Sequence, residues 1–282
     1  MKELAWIDYL RQIVPKSREV LIGIGDDCAQ VKSRSDKLLL KSDLFIENIH
    51  FKLGKTGFKT IGLRAVARVL SDFAACGGVP KFIGISIGIP SYLKISDVKK
   101  ILGAVLIQAK KYKFSLVGGD TAKSAKLFLD VWGLGVAPKF ISRDGAKVGD
   151  YIFITGKLGT NRLNEPFEPR LKEAQYLAKN FRLNSMIDIS DGFIVDLYRV
   201  LTLSKKGACL NKEAIPAVNG KADFYRGEDY ELIFTVDKAE KKLKTLEKKF
   251  YCVGRVKSKQ FGYKIEKNNK LYNLSPNGYL HF

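Results

Sequence analysis

Histidine is scarce: His50 and His281 are the only two in a chain of 282 residues. A Ser/His/Asp hydrolase is hard to build from so few, and no G-x-S-x-G elbow presents a nucleophile. His50 is the better functional candidate of the two, because it lies in a loop-like segment shortly after Asp43. The four cysteines, Cys28, Cys76, Cys209 and Cys252, form no C-x-x-C pair, and no charged-then-apolar leader opens the chain. No apolar run approaches the ~18 residues that suggest a membrane span. These absences predict a soluble protein of the reducing cytoplasm, where the glycosylation match Asn273-Leu274-Ser275 would be idle. Two nucleotide motifs also fail. "GKT" at Gly54–Thr56 has Ile49 where a P-loop needs glycine, and "GIGDDC" lacks the third glycine of a dinucleotide fingerprint.

Acidic residues are outnumbered, 29 against 49 basic, for a net charge of +20. Such a balance raises polyanion binding as a possibility. However, the lysines are scattered, and the densest run, Lys238 to Phe250, spaces Leu243, Leu246 and Phe250 as the packed side of an amphipathic helix. The run therefore reads as a solvated helix face, and no nucleic-acid or membrane partner is expected.

Along the chain, strand-like and helix-like stretches interleave, which places the fold in the α/β (α+β) class. Lys37 to Ser42 reads as a short buried strand delivering Asp43 at its end, and a helix is expected from about Thr60 to Ala75 on its spacings of three and four. Phe82 to Ile89 alternates as a strand whose glycines face something close, a helix should run from Ser96 to about Lys113, and Phe114 to Asp120 and Leu127 to Ala137 each contain a strand. The polar stretch from Pro138 to Gly149 suggests a boundary, so domains of 1–138 and 139–282 are expected. The second series holds strands "YIFITG", "MIDIS", "YELIFTV" and "YCVGRV", a helix from about Gly192 to Leu203, and the Lys-rich helix.

Against the basic background, Asp27, Asp43, Asp72, Asp120, Asp188 and Asp191 share one context, each beside a strand end, a helix end or a glycine turn, and Asp26 adjoins Asp27. Singly, such residues are usually turn formers or helix caps. Together they favour a shared site, since clustered carboxylates need compensating cations and all-oxygen clusters select hard divalent ions.

In order, "GIGDDCAQV", "KSDLFIENIHF", "AVARVLSDFAACGGVPKFIGISIGIP", "LVGGDTAKS", "RDGAKVGDYIFITGKLG", "IDISDGFIVDL" and "GEDYELIFT" resemble the thiamine-monophosphate kinase family, of the superfamily typified by aminoimidazole ribonucleotide synthetase. The resemblance runs from about Gly23 to Phe282. It implies a two-domain fold: an N-terminal mixed sheet with helices, which pairs in a homodimer, and a C-terminal α+β domain. It implies transfer of a phosphoryl group from ATP to thiamine monophosphate, with several Mg²⁺ ions, in a cleft between the domains. By motif, Asp27, Asp43, Asp72, Asp120, Asp188 and Asp191 match metal ligands, with a hydroxyl or carbonyl ligand from Ser42. Gly119, Asp120, Arg143 and Ser190 match ATP contacts, and His50 and Glu228 match thiamine contacts.

Three positions depart from the pattern. Lys41 stands where many members carry Ser or Thr, Arg226 replaces the first glycine of G-G-E-D, and Pro276 occupies the place of a C-terminal aromatic. The alternatives are selenophosphate synthetase-like or hydrogenase-maturation-like enzymes of the same superfamily, or a non-catalytic basic binder. The first two usually carry a reactive Cys near one terminus, whereas this chain has a lone Lys2 and ends "GYLHF". A phosphate-monoester acceptor has a second pKa near ~6 and needs no general base, which makes the scarcity of histidine intelligible.

Overall fold

Apolar residues at spacings of three and four build α1 (Phe58–Ala75), a helix almost wholly buried. The computed structural model describes residues 12, 18, 20–22, 26–32, 37–159, 163–218 and 223–278; His281, the end of "GYLHF", Lys2, Gly23 and Gly25 lie outside the described residues. Alongside α1 packs α2 (Ile95–Tyr112).

Both helices cover one face of a mixed sheet. Its strands are β1 (Val20–Ile22), β2 (Ala29–Lys32), β3 (Lys37–Ile46), β4 (Val79–Ile89), β5 (Ser115–Gly118), β6 (Thr121–Lys123) and β7 (Phe128–Val136). The order is β1-β2-β3-β7-β4-β5, with β6 pairing β4, and β5 and β6 both run parallel to β4. Side chains alternate across a strand, so Leu39 and Phe45 of β3 enter the core under α1 while Leu40 and Leu44 stay exposed on the other face. On that outer face the indole of Trp132 lies over Gly84, where an added Cβ would sit 2.1 Å from the ring.

The second sheet holds β8 (Tyr151–Ile154), β9 (Leu183–Asp188), β10 (Gly207–Asn211), β11 (Leu232–Val236), β12 (Tyr251–Lys257), β13 (Tyr263–Lys267) and β14 (Lys270–Asn273), in the order β14-β13-β10-β12-β8-β11-β9. Its central strands are covered on both faces. Phe153, Met186, Leu232 and Phe234 join the core that contains α1 and α3 (Leu171–Asn180), whereas Ile152, Ile154, Ile187 and Ile233 join the core under α4 (Phe193–Leu203). Burying each such side chain contributes about 1.5–3 kcal/mol. α1 is thus shared: it touches β3 and β7 of the first sheet and α3 and β9 of the second. Polar residues on α1 therefore face both sheets at once.

Two sequence expectations need correction. β3, expected as a short buried strand, is ten residues long and half-exposed, so Asp43 lies within it, paired with Val131 of β7, rather than at its end. The Lys-rich helix shrinks to α5 (Leu243–Glu247). Asp237 Oδ1 takes the N–H of Ala239 at 2.8 Å and Glu240 Oε1 takes that of Lys242 at 3.0 Å, so side chains hold local turns where a longer helix would begin.

Candidate functional site

α1 carries Arg64, Arg68, Ser71 and Asp72 into the space between the sheets. From β3 come Lys41 and Asp43, on the core face that also bears Leu39 and Phe45. Asp188 arrives as the last residue of β9, and Asp27 lies just before β2.

Oxygens of Asp27, Asp72 and Asp188 come within 4.8 Å of one another, and all three residues are buried. Cations and a hydroxyl compensate them. Arg143 grips Asp27 with both arms of its guanidinium, Nε to Oδ2 at 2.6 Å and Nη2 to Oδ1. Lys41 Nζ bridges Asp43 Oδ1 at 3.2 Å and Asp72 Oδ2 at 3.1 Å, and Ser71 Oγ donates to Asp188 Oδ2 at 2.6 Å. Arg68 Nε approaches Asp43 Oδ2 at 4.0 Å.

The electrostatics divide these groups. Burial works against charge on Asp43, but Lys41 and Arg68 outweigh it and hold its carboxyl below the ordinary value. Asp72 is pushed well up by burial and by the carboxylates of Asp43, Asp188 and Asp27, even with Lys41 beside it. Burial and Asp27 likewise push Asp188 well up. Asp26 rises to about 6 through burial and its neighbour Asp27, and it accepts N–H bonds from Asp27 at 2.9 Å and Arg143 at 3.2 Å. An all-oxygen trio that resists full ionisation suits a hard divalent cation, whose charge would favour all three carboxylates. The donor set fits Mg²⁺.

The other sequence candidates fall into separate settings. Asp191 is held by Arg199 Nη1 at 2.6 Å, and the loop carrying Ser190 and Asp191 is tied by a buried carboxylate absent from the sequence reading. Asp196 Oδ2 accepts the N–H groups of Ser190, Asp191 and Gly192 at 3.0, 3.0 and 3.2 Å, while its Oδ1 takes Arg199 at 2.6 Å. Gly119 has φ +150° and lies so tightly against Ile85 that a Cβ would come within 1.8 Å of its carbonyl oxygen, a place only glycine can fill. Asp120 follows, exposed, with its side chain accepting the Thr121 N–H at 2.7 Å. Neither Asp120 nor Asp191 belongs to the trio above.

Ser42 points away. Strand alternation puts its hydroxyl on the outer face of the sheet, bonded to Asp130 Oδ1 at 2.5 Å, so that oxygen is remote from Asp43's side. Among the described groups, its carbonyl is what the resemblance leaves for a metal.

Glu228 and His50 belong to one chain of contacts. Glu228 accepts from Arg64 Nη2, from Arg68 Nη1 at 2.9 Å and from the Tyr230 hydroxyl at 3.0 Å. Arg68 lies over the Phe45 ring at 5.7 Å, and Phe45 stacks on His50 at 5.6 Å. His50 Nδ1 accepts the Ile46 N–H at 3.0 Å. Arg64 itself is fully buried, with its Nη1 on the Glu165 carbonyl at 2.7 Å and its guanidinium over Phe167, which stacks on Tyr230 at 3.8 Å. Arg64 and Arg68 were missed from sequence, although two arginines one helical turn apart in a largely apolar helix were a legible signal. Arg226, at the departed G-G-E-D position, lies in the turn closed by its N–H to the Asp223 carbonyl at 3.2 Å.

Among known proteins, the family described as AIR synthase related protein, N-terminal domain, matches residues 25–137. The thiamine-monophosphate kinase of Buchnera aphidicola subsp. Schizaphis graminum is 33% identical, over 95% of this chain and 94% of its own length. That of Aquifex aeolicus is 32% identical, over 83% of this chain and 87% of its own. A solved structure, AaThiL complexed with AMPPCP and TMP, is 28% identical and superposes with a TM-score of 0.86, covering 100% of this chain and 97% of the other.

Proposed function

The chain belongs to the thiamine-monophosphate kinase family, and we propose that it moves the terminal phosphoryl group of ATP directly onto the phosphate of thiamine monophosphate, with Mg²⁺, in the space between its two sheets. The observation that carries this reading is the buried Asp27–Asp72–Asp188 trio lying beside Lys41 and Arg143. Such a site suits a polyphosphate that arrives with its own cations, not a free anion.

In this reading Asp27, Asp43, Asp72, Asp120, Asp188 and Asp191, with the Ser42 carbonyl, hold the ions. Mg²⁺ bound there supplies charge neutralisation on the transferring phosphoryl group. Arg143, held beside Asp27, is the cation for ATP, while Gly119, Asp120 and Ser190 bring backbone and side-chain groups to the nucleotide. His50 and Glu228 meet the thiamine substrate. Arg64 and Arg68 fix Glu228 from α1, so the carboxylate is oriented before substrate arrives. No residue is asked to act as a general base, because the acceptor phosphate is largely ionised at neutral pH.

Three coarser features belong to the same proposal. Residues 1–138 and 139–282 form the two domains, bridged by the core around α1. Leu40, Leu44, Phe82 and Trp132 expose an apolar outer face on the N-terminal sheet, which suits pairing with a second copy. No described helix is long and apolar enough to cross a membrane; the use of ATP and the four free thiols favour the cytoplasm. The test is ADP release with and without thiamine monophosphate. The proposal expects release to depend on it, and release that ignores it would point to one of the rival activities.

A further inference from the structure

Lys41 has an unusual position. Its ammonium lies 3.2 Å from Asp43 Oδ1 and 3.1 Å from Asp72 Oδ2, two carboxylates assigned above to metal. Its side chain is about one-fifth exposed and its strand position points it at α1, on the same face as Leu39 and Asp43. Strand alternation gives it no route to the outer face without breaking the pairing of β3 with β7.

A divalent ion bridging Asp43 and Asp72 would need oxygens at about 2.0–2.1 Å. The volume between those carboxylates is the one the ammonium fills. Lysine supplies no ligand oxygen, and its charge repels a second cation at that distance. Among the described residues, the far side of Asp72, toward Asp27 and Asp188, carries no such amine: Arg143 holds Asp27 and Ser71 holds Asp188.

We propose that Lys41 is a built-in cation of the metal centre, taking the place of one divalent ion between Asp43 and Asp72, so that this chain binds one ion fewer than its carboxylates would otherwise hold. The ammonium is covalently tethered and cannot dissociate, so that part of the site is filled at any Mg²⁺ concentration. The proposal rests on the metal assignment of the preceding section.

The experiment counts Mn²⁺ bound per chain, by electron paramagnetic resonance of the free ion, with AMPPCP saturating. The unaltered chain, Lys41→Ser, Lys41→Met and Asp72→Asn are compared. Both lysine variants are expected to bind one more Mn²⁺ per chain, and Asp72→Asn fewer than the unaltered chain. Equal counts in the unaltered chain and both lysine variants, with a lower count in Asp72→Asn, would overturn the role of Lys41 and leave the metal assignment standing. A count that Asp72→Asn does not lower would overturn the assignment itself. A second readout needs no variant: acylation of Lys41 by an amine reagent, followed by peptide mass spectrometry. Lys41 is expected to react at least tenfold more slowly than the exposed lysines both with and without Mn²⁺ and AMPPCP. If adding them makes it reactive, the ion displaces the ammonium and the proposal fails.

Discussion

Replacing Asp196 separates the frame of the site from its chemistry. Its Oδ2 accepts three consecutive backbone N–H groups, from Ser190, Asp191 and Gly192, and its Oδ1 accepts Arg199, all with the side chain fully buried. Asp196→Asn keeps one oxygen for the backbone but turns an amide toward Arg199, so one charge-assisted bond is lost, a cost of about 2 kcal/mol. Asp196→Ala leaves the three N–H groups and one arm of Arg199 without that acceptor, and about 4 kcal/mol is expected. Asp191→Asn disturbs the more exposed partner of Arg199, at 16% side-chain exposure, and should cost about 1 kcal/mol or less. Urea unfolding in EDTA, with equal slopes required before midpoints are compared, measures the series. For turnover the order should reverse at Asp191, because it is a proposed ligand: Asp191→Asn loses activity while staying folded, and Asp196→Asn loses stability while retaining activity wherever it remains folded. Asp196→Asn within 0.5 kcal/mol of the unaltered chain would refute the claim that this carboxylate holds the loop.

Asp72→Asn should lower Mg²⁺-dependent turnover at least about 100-fold while the melting temperature in EDTA stays close to that of the unaltered chain, since a carboxyl already pushed up by burial and its acidic neighbours loses little as an amide; turnover within a few-fold would remove Asp72 from the ligand set. Ser42→Ala should leave both turnover and Mn²⁺ affinity within about twofold, because its hydroxyl engages Asp130 on the outer face; a tenfold loss in either would show that the hydroxyl reaches the site. Arg64→Met leaves Glu228 with Arg68 and the Tyr230 hydroxyl and should destabilise by about 3 kcal/mol, and it should raise KM for thiamine monophosphate more than for ATP; equal rises would detach Glu228 from the thiamine side. The double variant Leu44→Lys, Trp132→Lys places charge on the apolar outer face and should convert a dimer to monomer in sedimentation velocity; an unchanged sedimentation coefficient would move the interface elsewhere.

Much of the scaffold was legible because its signals are periodic. α1, β4 and β7 follow their apolar spacings to within a few residues, and Trp132 over Gly84 explains why glycine recurs on one face of β4. β13 and β14, "YKIEK" and "KLYN", are too short for their patterns to register, and pairing makes them strands, β13 with β10 and β14 with β13. The site was legible only in its acidic half. Asp27, Asp72 and Asp188 stand out in a basic chain and lie within 4.8 Å of one another, but nothing in sequence spacing says which lysine or arginine answers which carboxylate. Lys41 and Asp72, Arg68 and Asp43, and Arg143 and Asp27 lie on different elements far apart in sequence, and the Ser42 hydroxyl faces away from Asp43 because one residue along a strand means the opposite face, which leaves its carbonyl as the ligand. Asp196 was overlooked because its partners are backbone N–H groups, which carry no sequence signature.

The most direct measurement of the central claim is a single turnover with ATP labelled at the γ-phosphate, excess protein, Mg²⁺ and thiamine monophosphate, quenched in acid at successive times. The label should pass from ATP to thiamine diphosphate in one phase, with none on the protein and none moving when thiamine monophosphate is omitted. Label that first accumulates on the protein, or that is released as inorganic phosphate without thiamine monophosphate, would contradict direct transfer between two anions held by the aspartates.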